Sequence, residues 1–223
     1  VPGYSTNSVA QIVFSLLFEL CGRIGETALA VRSGRWASCA DFCFTLGPWT
    51  ELAGKTFGIV GFGAIGTAVA RIAHALEMDV IVHSRTAKPS PVPVRWVALQ
   101  ELLTTADVIS LHCPLTPHTE QLINAQSLAE MKPGAILINT GRGPLLDEAA
   151  VARSLHAGHL GGLGADVLSK EPPHPDNPLL SAPRAVITPH IAWASVEARR
   201  RLMDEITKNL RAFLDGTPRN RVA

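Results

Sequence analysis

The chain has 223 residues, 47% hydrophobic and 17% charged, a composition that excludes a disordered segment and permits a sizeable core. Its 20 Lys and Arg against 19 Asp and Glu leave a formal charge of +1, which argues against a nucleic-acid partner. The short Arg199-Arg200-Arg201 run reads as a solvated helix face. No apolar run approaches the roughly 18 residues of a membrane helix, and no basic-then-apolar leader opens the sequence. Cys21, Cys39, Cys43 and Cys113 lack paired or metal-ligand spacing, so free thiols in a reducing cytoplasm are expected.

In chain order, Val9, Ile12, Val13, Leu16, Leu17, Leu20 and Ile24 recur at steps of three and four. They predict one amphipathic helix, capped by Ser8 with Gln11 and stopped at Ser33-Gly34. Residues 35–50 form a loop carrying Trp36, Phe42, Phe44 and Trp49, to be packed on its own core or on a partner subunit. Apolar strands follow at Thr56–Val60, Val80–His83, Val108–Cys113, Ala135–Asn139, Gly162–Val167 and Ala185–Thr188. Helical segments at Ile65–Glu77, Leu99–Thr104, Ala125–Met131 and Glu148–Ala157 separate them. Strands apolar throughout and divided by helices predict an α/β fold with a doubly wound parallel sheet. A final amphipathic helix carries Val196, Leu202, Met203, Ile206, Leu210 and Phe213 and ends at Gly216.

Gly61-Phe62-Gly63-Ala64-Ile65-Gly66 follows the first strand and opens a helix, the context in which glycines cradle a pyrophosphate. Gly61 permits the tight turn, Gly63 the close approach of backbone N–H groups, and Gly66 the packing of helix on strand. An NAD site would place an acid at the end of the second strand, but His83-Ser84-Arg85-Thr86 has none. Ser84 and Thr86 can donate to a 2′-phosphate and Arg85 can pair with it, so NADP is favoured, with NAD the alternative.

Three further segments place polar residues past strand ends: Asn139-Thr140-Gly141-Arg142-Gly143, Asp166 to Pro172, and Thr188-Pro189-His190-Ile191-Ala192. With the glycine loop, this constellation resembles the D-isomer-specific 2-hydroxyacid dehydrogenases. The match runs from Pro2-Gly3-Tyr4-Ser5-Thr6 to the closing helix, and Ile187–Ser195 is most similar to the glycerate dehydrogenase and hydroxypyruvate or glyoxylate reductase branch. The resemblance implies a Rossmann cofactor domain and an oxidoreductase of small 2-oxo or 2-hydroxy acids, working as a homodimer through the first helix and its aromatic loop.

The chemistry asks for the same residue types. Arg142 can grip a carboxylate bidentately and polarise the adjacent carbonyl, and His190 can supply a proton near neutral pH. Glu171 can orient His190 and favour its charged form. Each has a structural alternative: Arg142 paired with Asp147, Glu171 an ordinary loop carboxylate, His190 a satisfied core histidine. The resemblance further implies that Asp166 and the Ala192 backbone meet the nicotinamide carboxamide, with Thr140 and Gly141 lining the cofactor and Cys113-Pro114 beside the adenosine. His112 is assigned to the sheet core. His118, His156, His159 and His174 lack ligand spacing, so no metal site is expected.

The resemblance also sets the expected organisation. Residues 1–34 form a helix leading into the cofactor domain, 35–191 that domain, and 192–223 a helix returning to the substrate domain. The N-terminal part of that substrate domain, on the order of 100 residues, is absent. The chain alone is therefore expected to lack one wall of the cleft, to be weakly active, and to leave both amphipathic helices short of packing surface. Alternative activities on the same scaffold are a D-3-phosphoglycerate or phosphite dehydrogenase, or a dinucleotide-sensing corepressor-like module.

Overall fold

A computed structural model describes residues 1–217 and 219–221; Pro218, Val222 and Ala223, which fall within the closing segment 192–223, lie outside the described residues. Seven strands pair in parallel: β1 (Thr56–Val60), β2 (Asp79–His83), β3 (Arg95–Trp96), β4 (Val108–Leu111), β5 (Ile136–Asn139), β6 (Gly162–Ala165) and β7 (Ala185–Ile187). Their spatial order is β3-β2-β1-β4-β5-β6-β7, the Rossmann-type arrangement expected from the sequence. Side chains alternate between the two sheet faces, and both faces are covered. Phe57, Ile59, Val82 and Ile138 pack with α1 (Thr6–Gly22) and α3 (Ala64–Ala75). Ile81, Ile109, Leu137 and Leu163 pack with α4 (Leu99–Thr105), α5 (Ala125–Glu130) and α6 (Glu148–His156). The chain winds outward from β1 to β3, then returns to start β4 on the other side of β1. That reversal opens a crevice beyond the C-terminal ends of β1 and β4.

The structure corrects several sequence expectations. The first helix is two helices, because Arg23 adopts a left-handed conformation (φ 50°) between α1 and α2 (Ile24–Arg32), which are bent by 58°. The break is stabilised locally: Arg23 N–H donates to the Glu19 carbonyl, the Glu19 carboxylate accepts from Gly25 N at 3.0 Å, and the Arg23 guanidinium reaches Leu46 O. Ser8 does not cap α1; it is buried inside it, and Ser5 takes the N-cap position. Nor is α1 short of packing surface, since Val13, Leu16, Leu17 and Leu20 are buried against the sheet. Gly162 and Gly164 allow this approach: a Cβ at Gly164 would stand 2.8 Å from Leu16 Cβ, and one at Gly162 2.8 Å from Leu20 Cδ2. The two-residue β3 was too short to register as periodicity. The closing helix α7 (Val196–Leu214) keeps its apolar side on the surface, with Met203 and Phe213 61% and 80% exposed. Among the described residues, no single helix is long and apolar enough to cross a membrane.

Candidate active site

The glycine loop shapes one wall of the crevice. Gly61 lies at φ +96°, and a Cβ there would stand 2.5 Å from Cys113 N, so the β1 and β4 loops touch backbone to backbone. A Cβ at Gly66 would overlap the Gly61 carbonyl, which seats α3 directly on the loop. Gly63 faces open space, with nothing within 4 Å of where a Cβ would be. The first turn of α3 receives no side-chain cap, so its N–H groups and the positive end of the helix point into that space. A cavity of about 500 Å³ continues from it. Gly61, Gly63, His83, Ser84, Arg85 and Lys88 line one side, and His112, Cys113, Pro114 and His118 the other; among the described residues no carboxylate faces it.

Further along the crevice, past β5, Thr140 Oγ1 is buried without a hydrogen-bond partner. Asn139 shapes the turn beside it, donating to Arg142 O at 2.9 Å and accepting from Gly141 N at 3.0 Å. An open glycine face, an uncapped helix start and an orphaned hydroxyl along one crevice fit an elongated, phosphate-bearing dinucleotide.

Three loops at the strand ends converge next to it. His190 Nδ1 lies 2.6 Å from Glu171 Oε2, joining the turn after β6 to the loop after β7. Glu171 Oε1 accepts from Leu168 N at 3.0 Å. Partial desolvation pushes the Glu171 carboxyl up, but the bonds from His190 and Leu168 N and the charges of His190 and Arg142 outweigh it and hold the group below the usual carboxylate range. The Arg142 charge therefore reaches the pair. Arg142 is exposed, with Nη1 donating to Gly141 O at 2.7 Å. The alternative Arg142–Asp147 pairing is not formed; Asp147 caps α6 by accepting from Ala150 N at 2.9 Å. His190 is no core histidine, being exposed and held at φ 55°, a backbone region costly for a non-glycine residue and concentrated at functional sites.

Asp166, the residue after β6, is fully buried, and its carboxylate organises the loop that carries His190. Oδ1 accepts from Thr188 Oγ1 (2.6 Å) and Ile191 N (2.9 Å), and Oδ2 from Ala192 N (2.8 Å). A carboxylate offers about four acceptor positions, so one stays free. The Ala192 carbonyl accepts from the buried Ser8 hydroxyl at 2.6 Å and keeps its second lone pair.

Most residues singled out from the sequence thus meet around one crevice. Gly61, Gly63, Ser84, Arg85, Cys113 and Pro114 line the cavity, while Ala64, Ile65 and Gly66 form the adjoining helix start. Thr86 is exposed and does not line it. His112 was misassigned to the sheet core: it lies one residue beyond β4, half-buried, lining both the cavity and the glycine-loop pocket. Its Nε2 meets Ser110 Oγ at 2.8 Å, and burial pushes the imidazole down to about 4. Lys88, His118 and Ser8 were missed. A lone small polar residue beside the apolar stripe of a helix is the signal that could have flagged Ser8.

Known proteins give the same answer as the geometry. The profile of the D-isomer specific 2-hydroxyacid dehydrogenase NAD-binding domain matches residues 14–192. A hydroxypyruvate reductase from Blautia hydrogenotrophica is 45% identical over 99% of this chain and 69% of its own length. A glycerate dehydrogenase from Methylorubrum extorquens is 42% identical over the same shares. The solved structure of an acyclic imino acid reductase (Bsp5) in complex with NADPH and D-Arg superposes with a TM-score of 0.89 at 35% identity, covering all of this chain and 69% of that one. With a Rossmann-type sheet, a nucleotide crevice and a profile match across most of its length, the chain belongs to the D-isomer specific 2-hydroxyacid dehydrogenase family, whose enzymes move a hydride between a nicotinamide nucleotide and a 2-oxo or 2-hydroxy acid.

Proposed function

We propose that this chain carries the catalytic groups of an NADPH-preferring reductase of small 2-oxoacids, with hydroxypyruvate and glyoxylate as substrates and D-glycerate and glycolate as products. The observation that carries the reading is the His190–Glu171 pair, joined at 2.6 Å beside the Arg142 guanidinium at the mouth of the crevice.

The nicotinamide, when bound, supplies the hydride to the carbonyl carbon. The protein does the rest. With Nη1 tied to Gly141 O, Arg142 has its remaining N–H groups free to hold the substrate carboxylate and polarise the neighbouring carbonyl. Glu171 occupies His190 Nδ1, which leaves Nε2 as the atom that delivers a proton to the nascent alkoxide. The free acceptor position on Asp166 and the spare lone pair on Ala192 O together match the two N–H donors of a carboxamide, and so would fix the nicotinamide face. Gly61, Gly63 and the first turn of α3 at Ala64, Ile65 and Gly66 hold the pyrophosphate, with Thr140 and Gly141 alongside.

Preference for NADP rests on the cavity wall. Ser84, Arg85 and Lys88 offer two cations and a hydroxyl to a 2′-phosphate, and among the described residues no acid faces the cavity to accept from a ribose hydroxyl. The NADPH found in the Bsp5 reductase supports the same choice. Self-association is read from α2, which buries none of its residues, and from the adjoining loop: Leu29 is 64%, Phe42 88% and Trp49 72% exposed, a surface suited to a second copy of this chain. The free thiols suit a reducing compartment such as the cytoplasm.

The test is nicotinamide oxidation by the enzyme with hydroxypyruvate, glyoxylate and phosphohydroxypyruvate, using NADPH and NADH in parallel. Turnover of the first two with a clear NADPH advantage is expected, and His190→Ala should abolish it. Unimpaired reduction by His190→Ala would remove the proton-donor assignment, and a clear NADH advantage the cofactor preference.

A further inference from the structure

The turn that carries Glu171 is anchored from outside the catalytic pair. Glu148, the first residue of α6, is half-buried and points its carboxylate at residues 168–177. Its Oε1 accepts from Ser169 N at 2.6 Å, and its Oε2 accepts from Asn177 Nδ2 at 2.8 Å. Asn177 is itself fixed, since its Oδ1 accepts from Leu179 N at 3.0 Å. Both ends of the segment containing Glu171 are therefore tied to a single side chain on a rigid helix. The adjoining residue, Leu168, donates its N–H to Glu171 Oε1, so Glu148 and Glu171 hold consecutive amides of the same turn. A second constraint acts on the same peptide: a Cβ on Gly143 would overlap the Leu168 carbonyl carbon, so the residue after Arg142 lies directly against the turn.

We propose that Glu148 is a positioning residue for the reaction. It clamps the Leu168–Asn177 segment so that Glu171 meets His190 and, through the Gly143 contact, stands in register with Arg142. This rests on the reading of Glu171, His190 and Arg142 as the reacting cluster. The physical need is clear: Glu171 and His190 are side chains of two exposed loops, and a pair bonded at 2.6 Å keeps its geometry only if the backbones behind it are held. An ionised acceptor on a backbone N–H holds a turn more firmly than a neutral one. The groups facing Glu171 are His190, Arg142 and Leu168 N, and Glu148 acts on it only through the last.

The experiment compares wild type, Glu148→Ala, Glu148→Gln and Glu148→Asp in steady-state reduction of hydroxypyruvate across pH, with thermal melts of each. Glu148→Ala is expected to lower kcat about ten- to hundredfold while both KM values move less than about threefold, because misplaced catalytic groups cost rate more than binding. The acidic limb of its kcat profile should move to higher pH, since Glu171 loses part of the Leu168 bond that holds its carboxyl low. Glu148→Gln keeps a carbonyl oxygen for Ser169 N but sets its amide nitrogen against Asn177 Nδ2, so it should recover part of kcat, whereas Glu148→Asp, one methylene too short for either anchor, should recover none. If Glu148→Ala does not fold, the Gln against Asp comparison carries the test. Unchanged kcat and acidic limb in Glu148→Ala, or equal losses in Gln and Asp variants that melt like wild type, would overturn the proposal. A wild-type enzyme without turnover on any 2-oxoacid would instead sink the functional reading, and this inference with it.

Discussion

Replacing Glu171 by Gln removes the charge from the His190–Glu171 pair. The amide oxygen can still accept from His190 Nδ1, so the 2.6 Å contact can survive, but the amide nitrogen then faces Leu168 N–H and that bond is lost with the negative charge. A charge-assisted hydrogen bond contributes about 1.5–3 kcal/mol net. Here the side chains are 44% and 37% exposed, and water screening trims that to about 1–2 kcal/mol. If the loss falls on proton delivery, kcat drops about 5- to 30-fold. The pH dependence gives a sharper reading. Glu171 is held below the usual carboxylate range in the folded protein, so its contribution is fully present above the unfolded value and is lost only as pH falls through the lowered one. Wild-type kcat should therefore keep an acidic limb below that range, and Glu171→Gln should lose the limb along with rate. The assay is kcat for hydroxypyruvate against pH by nicotinamide absorbance, with unfolding measured in parallel. A variant with wild-type kcat and the same acidic limb would refute the reasoning.

Burial lowers the His112 imidazole from 6.5 to about 4, so it binds fewer protons folded than unfolded. Its contribution, at most about 3 kcal/mol, is present above the unfolded value and lost as pH falls towards the folded one. His112→Asn should flatten the unfolding free energy over that window, as read by urea titration. Gly164→Val would drive a side chain into Leu16 and Ile138, each 2.8 Å from the new Cβ. About 2 kcal/mol of overpacking should cost roughly 4–8 °C in Tm by calorimetry. Leu29→Asp places a charge on the exposed face of α2 and should shift the proposed dimer towards monomer in sedimentation equilibrium without altering the fold.

Much of the architecture was legible in the amino-acid order because it is written locally. Apolar runs such as Thr56–Val60 and Ile136–Asn139 are strands buried on both faces, and Gly61, Gly63 and Gly66 announce a turn between strand and helix. Arg142, Glu171 and His190 stood out because each follows a strand end, where parallel sheets gather their ligands. Local pattern has no means of reporting distance across the fold. That His190 meets Glu171, that Asp166 spends its carboxylate on Ile191 and Ala192, and that Ser8 on α1 holds the Ala192 carbonyl all depend on the sheet bringing β6 and β7 side by side beneath α1. The same holds for the break at Arg23, which Leu46 and Glu19 stabilise against a continuous apolar stripe, and for His112, carried past the end of β4 into the crevice. Sequence alone determined most of the strands and helices and singled out residues suited to the chemistry, since backbone preference and hydrophobic periodicity act over a few residues. Only the tertiary structure decided their partners, because a hydrogen bond is set by angstrom-scale placement of loops far apart along the chain.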